Sequence, residues 1–173
     1  MQVAVAPPIS YTNEIVIMWS KTKQVLENRL PEDLKGRVKY QYNVHRDGSS
    51  QIQSFSIIVD GTPWFCTNPK FFDELYNNIP AEVRYKEGTD LDIIKRTGYV
   101  NNSWGEAMKY VHDFLNVLSI EESIESDNYF IRMLAMLDAR LGKRRIRKIA
   151  EHIENEPEWF RKWIGLRLGK SYN

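Results

Sequence analysis

The stretch RVKYQYNVHRDGSSQIQSFSIIVDGTPWFCT at residues 37–67 decides the fold, because its apolar residues recur with a period of two. At 38–44 they alternate with polar residues, which predicts a strand with one buried face and one wet face. Asp47-Gly48 supplies a turn, residues 51–59 a returning strand, and Asp60-Gly61 a second turn into a third strand. We therefore predict a three-stranded antiparallel meander. The side chains predicted to form its buried face are Val38, Tyr40, Tyr42, Val44, Phe55, Ile57 and Val59.

A helix is predicted directly before the meander. From Asn13 or Glu14 to about Leu30 the apolar residues recur at helical spacing, and Pro31 ends the pattern because a proline ring cannot continue a helix. A sheet of three strands needs a cover for its apolar face, and this helix is the nearest candidate. Asn68-Pro69 then predicts the start of a further short helix.

The C-terminal part has the pattern of a small helical array. Residues 104–173 contain four stretches of helical period. The second of them runs from about Ser119 or Asp127 to Leu141, and we expect Gly142 to adopt a left-handed conformation that terminates the helix. Together with the meander, this array predicts an α+β protein.

The chain reads either as two lobes that share an interface or as one domain. Residues 79–103 have weak periodicity and contain one proline and two glycines, so we interpret them as a connecting segment. This segment would join an α/β-meander lobe at 18–78 to a helical lobe at 104–173.

Positive charge is concentrated late in the chain, although the formal net charge is only +1. Residues 101–139 hold two cations and seven anions, whereas residues 140–173 hold ten cations and four anions. The densest stretch is 140–148, called the basic turn below, and it is our candidate for an anion-binding or partner-binding site. Its cationic residues are Arg140, Lys143, Arg144, Arg145, Arg147 and Lys148.

Two interpretations of the basic turn are open on the sequence alone. In the functional one, its cations bind nucleic-acid phosphate or an acidic protein, helped by the free N–H groups of a helix that begins near Lys143. In the structural one, the cations pair with Asp138 and with the acidic cluster at 121–127, and the remaining ones form a solvated face.

The composition argues against several kinds of site. A single cysteine, Cys66, excludes an intramolecular disulfide and fits a reducing, cytoplasmic setting. His45, His112 and His152 stand far apart without metal-ligand spacing, and no catalytic constellation or cofactor motif is found. No apolar run approaches the roughly 18 residues of a membrane span, and the N-terminal residues lack the pattern of a secretory signal.

Two stretches carry a family resemblance. They are WSKTKQVLENRLPEDLKGRVKY at 19–40 and LNVLSIEESIESDNYFIRMLAMLDARLGKRRIRKI at 115–149. With their Trp-Ser-Lys start and Leu-Asp-x-Arg-x-Gly-Lys-Arg motif, they resemble an uncharacterised family of short bacterial cytoplasmic proteins. Such proteins usually begin where Met18 stands, so we expect residues 1–17 to be a poorly ordered extension: an alternative start, a cloning remnant or a private addition. The resemblance attaches no activity to any residue.

These observations favour a non-enzymatic cytoplasmic interaction protein that binds a macromolecular partner, with toxin neutralisation or regulation as two concrete versions. A protein partner is favoured over a nucleic acid, and no membrane partner or cofactor is expected. The alternative is a nucleic-acid-binding protein that uses the basic face at 140–148. The sequence does not predict the oligomeric state.

Overall fold

The protein has the α+β architecture that the sequence predicts: a helix, a three-stranded antiparallel sheet and then a series of helices. Its computed structural model describes residues 11–47, 50–101 and 104–170. The N-terminal elements are α1 (Tyr11–Asn28), β1 (Val38–Asp47), β2 (Ser50–Val59) and β3 (Thr62–Cys66), with a 3₁₀ turn at Glu32–Leu34. The later elements are α2 (Pro69–Asn78), α3 (Thr89–Thr97), α4 (Trp104–Asn116), α5 (Ile120–Glu125), α6 (Tyr129–Leu137), α7 (Lys143–Ala150), a 3₁₀ turn (Ile153–Asn155) and α8 (Glu158–Leu168).

The three strands lie in chain order, and both neighbouring pairs are antiparallel. Tyr42 lies opposite Phe55, so the apolar residues of β1 and β2 share one face as predicted. Asp60-Gly61 joins β2 to β3, and its positive φ angles of 49° and 81° are those of a tight hairpin turn. Of the other predicted turn, Asp47-Gly48, the glycine lies outside the described residues.

The apolar face of the sheet packs against helices from both ends of the chain. The buried ring of Phe55 contacts Trp19 of α1 and Phe130 of α6, with ring centroids 5.8 and 5.0 Å apart. One continuous cluster of buried side chains includes residues of the sheet, α1, α4, α6 and α8. Helix α1 thus covers the meander as predicted, and the helical array closes the same core. The division into lobes stays a prediction.

The prediction that Val44 belongs to the core is wrong. Val44 lies on the same face as Phe55, but it is 40% exposed. Tyr42, two residues earlier, still packs against Trp104, with ring centroids 4.2 Å apart. Val44 stands closer to the turn of the β1–β2 hairpin. The alternation therefore predicts which face is apolar but not how far the core extends along it.

The helical array differs from the prediction in its second helix. Where one helix ending near Leu141 was expected, the structure has α5 and α6, so the described C-terminal part holds five α-helices instead of four. Helix α6 ends at Leu137. Gly142 has a φ of −67° and is the N-cap of α7, so the prediction of a left-handed glycine is wrong. The turn needs no such glycine, because the side chains of Asp138 and Arg167 satisfy its backbone groups.

The segment 79–103 contains a helix, α3, that its weak periodicity did not predict. Gly98 caps it in a left-handed conformation, with a φ of 75°, and donates its N–H to the oxygen of Ile94 at 2.8 Å. The indole of Trp159 lies so close that a methyl group on Gly98 would be 2.6 Å from the ring. This contact fixes α3 against α8. Helix α2, in contrast, begins at Pro69 as predicted.

Candidate partner-binding site at the basic turn

The buried side chain of Arg167 holds the turn between α6 and α7 from inside. Its guanidinium donates hydrogen bonds to the main-chain oxygens of Met136, Asp138 and Leu141, the last two at 3.0 and 2.8 Å. Carbonyl groups at the end of a helix lack partners within the helix, and the bond to Met136 replaces such a partner in the last turn of α6. Burial lowers the pKa of Arg167. Arg167 thus fixes the backbone from which the basic side chains project.

Asp138 fixes the same turn through its buried carboxylate. The carboxylate accepts a hydrogen bond from the backbone N–H of Arg140 at 2.8 Å and bonds from the Arg140 Nε and Nη2 at 3.0 and 2.9 Å. The guanidinium of Arg29, the residue directly after α1, lies 3.9 Å from this carboxylate, and the main-chain oxygen of Arg29 accepts the N–H of Ala139 at 2.7 Å. Arg140 is therefore held in a fixed position.

Besides Arg140, two more cations of the basic turn have acidic partners. The Arg145 Nη1 lies 2.6 Å from Oε1 of Glu121 on α5, and the Lys143 Nζ lies 3.6 Å from Oδ2 of Asp33. The hydrogen bond from Arg145 lowers the pKa of Glu121. Both pairs are exposed, so water and salt screen their attraction. Three of the six cations of the basic turn thus have an acidic partner, and for Arg140 and Arg145 it is one of the acidic residues that the structural interpretation names.

A cleft of about 420 Å³ lies between the basic turn and α5. Arg144 and Lys148 stand one helical turn apart on α7 and both line this cleft, and neither has an ion pair or side-chain hydrogen bond within the described part of the chain. Four cations and one carboxylate give the lining a formal charge of +3, which attracts anions. We call it the basic cleft. Its lining residues are Glu121, Arg140, Gly142, Arg144, Arg145 and Lys148.

The N-terminus of α7 adds backbone donors on the same turn. The N–H groups of Arg145 and Ile146 both donate to the oxygen of Gly142, at 2.9 and 3.2 Å. Those of Lys143 and Arg144 have no acceptor among the described residues. Free N–H groups and the helix dipole favour negative charge at this end, whereas the neighbouring cations oppose the dipole. An anion would therefore relieve an unfavourable arrangement.

The basic turn lies within the part of the chain that matches a protein family. Residues 18–168 match the model of the SF0329 protein family. The chain belongs to this family. The match includes the basic turn and leaves residues 1–17 outside, and it confirms the resemblance to an uncharacterised family. The bacterial origin and the cytoplasmic setting stay predictions. No curated protein and no solved structure matches the chain.

Two kinds of feature are missing from the described residues. No helix there combines the length and the apolar character that crossing a membrane requires. No group of three or more histidine, cysteine or acidic side chains there could hold a metal ion.

The structure brings four of the six predicted cations to the basic cleft. Lys143 and Arg147 lie one turn apart on another side of α7 and do not line it. The sequence did not indicate Asp33 as a partner, and it gave no sign of Arg167, which reaches the turn from 26 residues further along the chain. The density of positive charge and two of the acidic partners, Asp138 and Glu121, could be recognised without the fold.

Proposed function

We propose that this chain is an interaction protein that binds an acidic segment of a partner protein in the basic cleft. One observation carries the proposal: Arg144 and Lys148 line the same cleft and have no acidic partner among the described residues. Two like charges that face one cleft repel each other. A carboxylate placed between them would remove this repulsion and form charge-assisted hydrogen bonds.

The distribution of charge around the cleft favours a protein segment over a nucleic acid. Nucleic acids present phosphates at regular intervals, and proteins bind them with extended positive grooves. Here acidic side chains interrupt the positive surface, since Glu121 lines the cleft and Asp33 pairs with Lys143 nearby. A border of mixed charge fits a protein surface that also carries both signs. Neutralising a toxin and regulating an enzyme would both use such a surface.

The rigidity of the turn supports binding at this place. Asp138 holds the guanidinium of Arg140, and Arg167 holds the backbone beneath it. Part of the cleft is therefore already ordered before a partner arrives, which reduces the entropy lost on binding.

Quantitative affinity purification tests the proposal. The parent protein, the Arg144→Ala/Lys148→Ala variant and a control, Lys21→Ala/Lys109→Ala, are used as baits in nuclease-treated lysate of the organism that encodes the chain. The control removes the same charge from exposed positions of α1 and α4. We expect the parent and the control to enrich at least one protein with an acidic segment, and the cleft variant to lose it without a change in melting temperature.

Two results would contradict the proposal. The cleft variant could retain every partner of the parent, which would remove the basic cleft as the binding site. Alternatively, the cleft variant could lose nucleic acid and no protein in a lysate without nuclease, which would assign the cleft to nucleic acid.

A further inference from the structure

We infer that Glu121 is a resident competitor in the basic cleft, and that an acidic group of the partner displaces it from Arg145 on binding. The inference rests on the proposed function of the cleft and concerns the regulation of its affinity.

Two carboxylates hold arginines of the basic turn, and they differ in burial. The Asp138 side chain is 1% exposed, and it binds both the backbone and the guanidinium of Arg140. The Glu121 side chain is 55% exposed and binds Arg145 through one oxygen at 2.6 Å. Water can solvate Glu121 as soon as it leaves Arg145, whereas Asp138 has no such replacement for its hydrogen bonds. Asp138 is therefore a fixed part of the turn, and Glu121 is exchangeable.

Arg145 is free to change partners once Glu121 leaves. Within the described residues its guanidinium has no hydrogen-bond acceptor besides Glu121. A guanidinium has five N–H donors and can bind a carboxylate through two parallel hydrogen bonds. An incoming acidic side chain can thus replace the single contact with a bidentate one.

The capping box at the start of α5 does not use the Glu121 side chain. The N-terminus of α5 is capped by Ser119 and Glu122: the Ser119 N–H donates to the Glu122 carboxylate at 2.8 Å, and the Glu122 N–H donates to the Ser119 hydroxyl at 3.1 Å. The capping box leaves the Glu121 side chain available for the cleft. Substitution of Glu121 should therefore leave the helix intact.

The competitor sets a requirement for the ligand. A ligand with one carboxylate replaces Glu121 at Arg145 without adding a contact to another cation. It therefore gains little binding free energy. A ligand with several adjacent carboxylates also reaches Arg144 and Lys148, which have no acidic partner among the described residues to give up. The cleft therefore selects segments in which two or more acidic residues are clustered.

Fluorescence anisotropy with dye-labelled hexaglutamate tests the inference on the whole 173-residue chain. Glu121→Gln removes the competing charge, and Glu125→Gln is the matched control, because it makes the same change on the same helix outside the cleft. We expect the Glu121→Gln variant to bind the peptide roughly 3- to 10-fold tighter than the parent at low salt, and the difference to shrink as salt rises. The control should stay within about 2-fold of the parent.

The outcomes separate the inference from the proposed function. If Arg144→Ala/Lys148→Ala abolishes binding while Glu121→Gln binds no tighter than the parent, the cleft binds acidic ligands but Glu121 is not a competitor. Weaker binding by Glu121→Gln would also overturn the inference, since it would show that Glu121 positions Arg145. If the parent binds no hexaglutamate, or binds it equally well without Arg144 and Lys148, both proposals are wrong.

Discussion

Arg167 donates a hydrogen bond of 2.8 Å to the main-chain oxygen of Leu141, 26 residues earlier in the chain. This bond joins the last helix to the turn that carries the basic residues. The shape of the basic cleft therefore depends on α8, although no residue of α8 lines it. The buried Arg167 side chain therefore contributes to the stability of the fold and also fixes the geometry of the candidate site.

Substitution of Arg167 should lower the stability of the fold more than substitution of an arginine that lies nearer to the surface. Arg167→Met replaces the guanidinium with an apolar end and leaves the main-chain oxygens of Met136 and Leu141 without a donor among the described residues, whereas that of Asp138 keeps the N–H of Leu141. We therefore expect a loss of about 3 kcal/mol or more in the free energy of unfolding. The control is Arg161→Met, because Arg161 also donates to two main-chain oxygens but lies nearer to solvent. It should cost about 1 kcal/mol. If urea unfolding shows that both variants lose the same free energy of unfolding, the buried bonds of Arg167 do not stabilise the turn.

Alanine substitutions at Gly98 and Gly88 distinguish the cost of backbone strain from the cost of a steric clash. Both have left-handed φ angles, of 75° and 89°, so alanine at either position is strained by about 1–2 kcal/mol. A methyl group at Gly98 would in addition lie 2.6 Å from the Trp159 ring, whereas Gly88 has nothing within 4 Å. Gly98→Ala should therefore lose at least about 1 kcal/mol more than Gly88→Ala in thermal unfolding. Equal losses would show that α3 does not pack tightly on Trp159.

The two ends of the β1–β2 hairpin should respond differently to charge. Ile57→Asp buries a carboxylate without a partner, which costs several kcal/mol against a typical total of about 5–15 kcal/mol, so the variant should be unfolded by circular dichroism. Val44→Asp should remain folded, because Val44 is 40% exposed. Lys39→Asp, on the opposite face, should also be tolerated. An unfolded Val44→Asp protein would mean that the core reaches further along the hairpin.

Acid should weaken the contact between α2 and α3 through Glu74. Burial alone would raise the pKa of Glu74, but hydrogen bonds from Asn78 and Arg96 outweigh it and hold the pKa below the usual 4.5. The carboxylate therefore contributes its full stabilisation above about pH 4.5, and this is lost as the pH falls through the lower pKa of the folded state. Glu74→Gln should lose less stability between pH 7 and pH 3 than the parent, measured by urea unfolding. Glu82→Gln, at an exposed position, should lose as much stability between pH 7 and pH 3 as the parent. An identical acid dependence in all three proteins would show that Glu74 is not a source of the acid sensitivity.

The meander could be predicted because its determinants are local. The period of two at 38–44 and the Asp60-Gly61 turn specify strands and faces without reference to the rest of the chain. The exposure of Val44 could not be predicted, because it depends on where the covering helices end. The conformation of Gly142 could not be predicted for a similar reason, since Arg167, distant in sequence, donates to the backbone of this turn and a left-handed glycine is not needed there.

The candidate site was predictable as a set of charges but not as a geometry. The density of cations at 140–148 is plain in the sequence. Which of them line a cleft follows from the orientation of α7 against α5, and which are neutralised follows from contacts such as that of Lys143 with Asp33, more than one hundred residues apart. Long-range contacts of this kind leave no periodic signal.

The most direct test of the basic cleft is an NMR titration of isotope-labelled protein with hexaglutamate. We expect saturable shift changes that are largest at the backbone amides of Arg144, Arg145 and Lys148 and at Glu121, and that vanish in the Arg144→Ala/Lys148→Ala variant. Changes centred elsewhere on the surface, or a titration that is the same in parent and variant, would contradict the assignment of this cleft as the binding site.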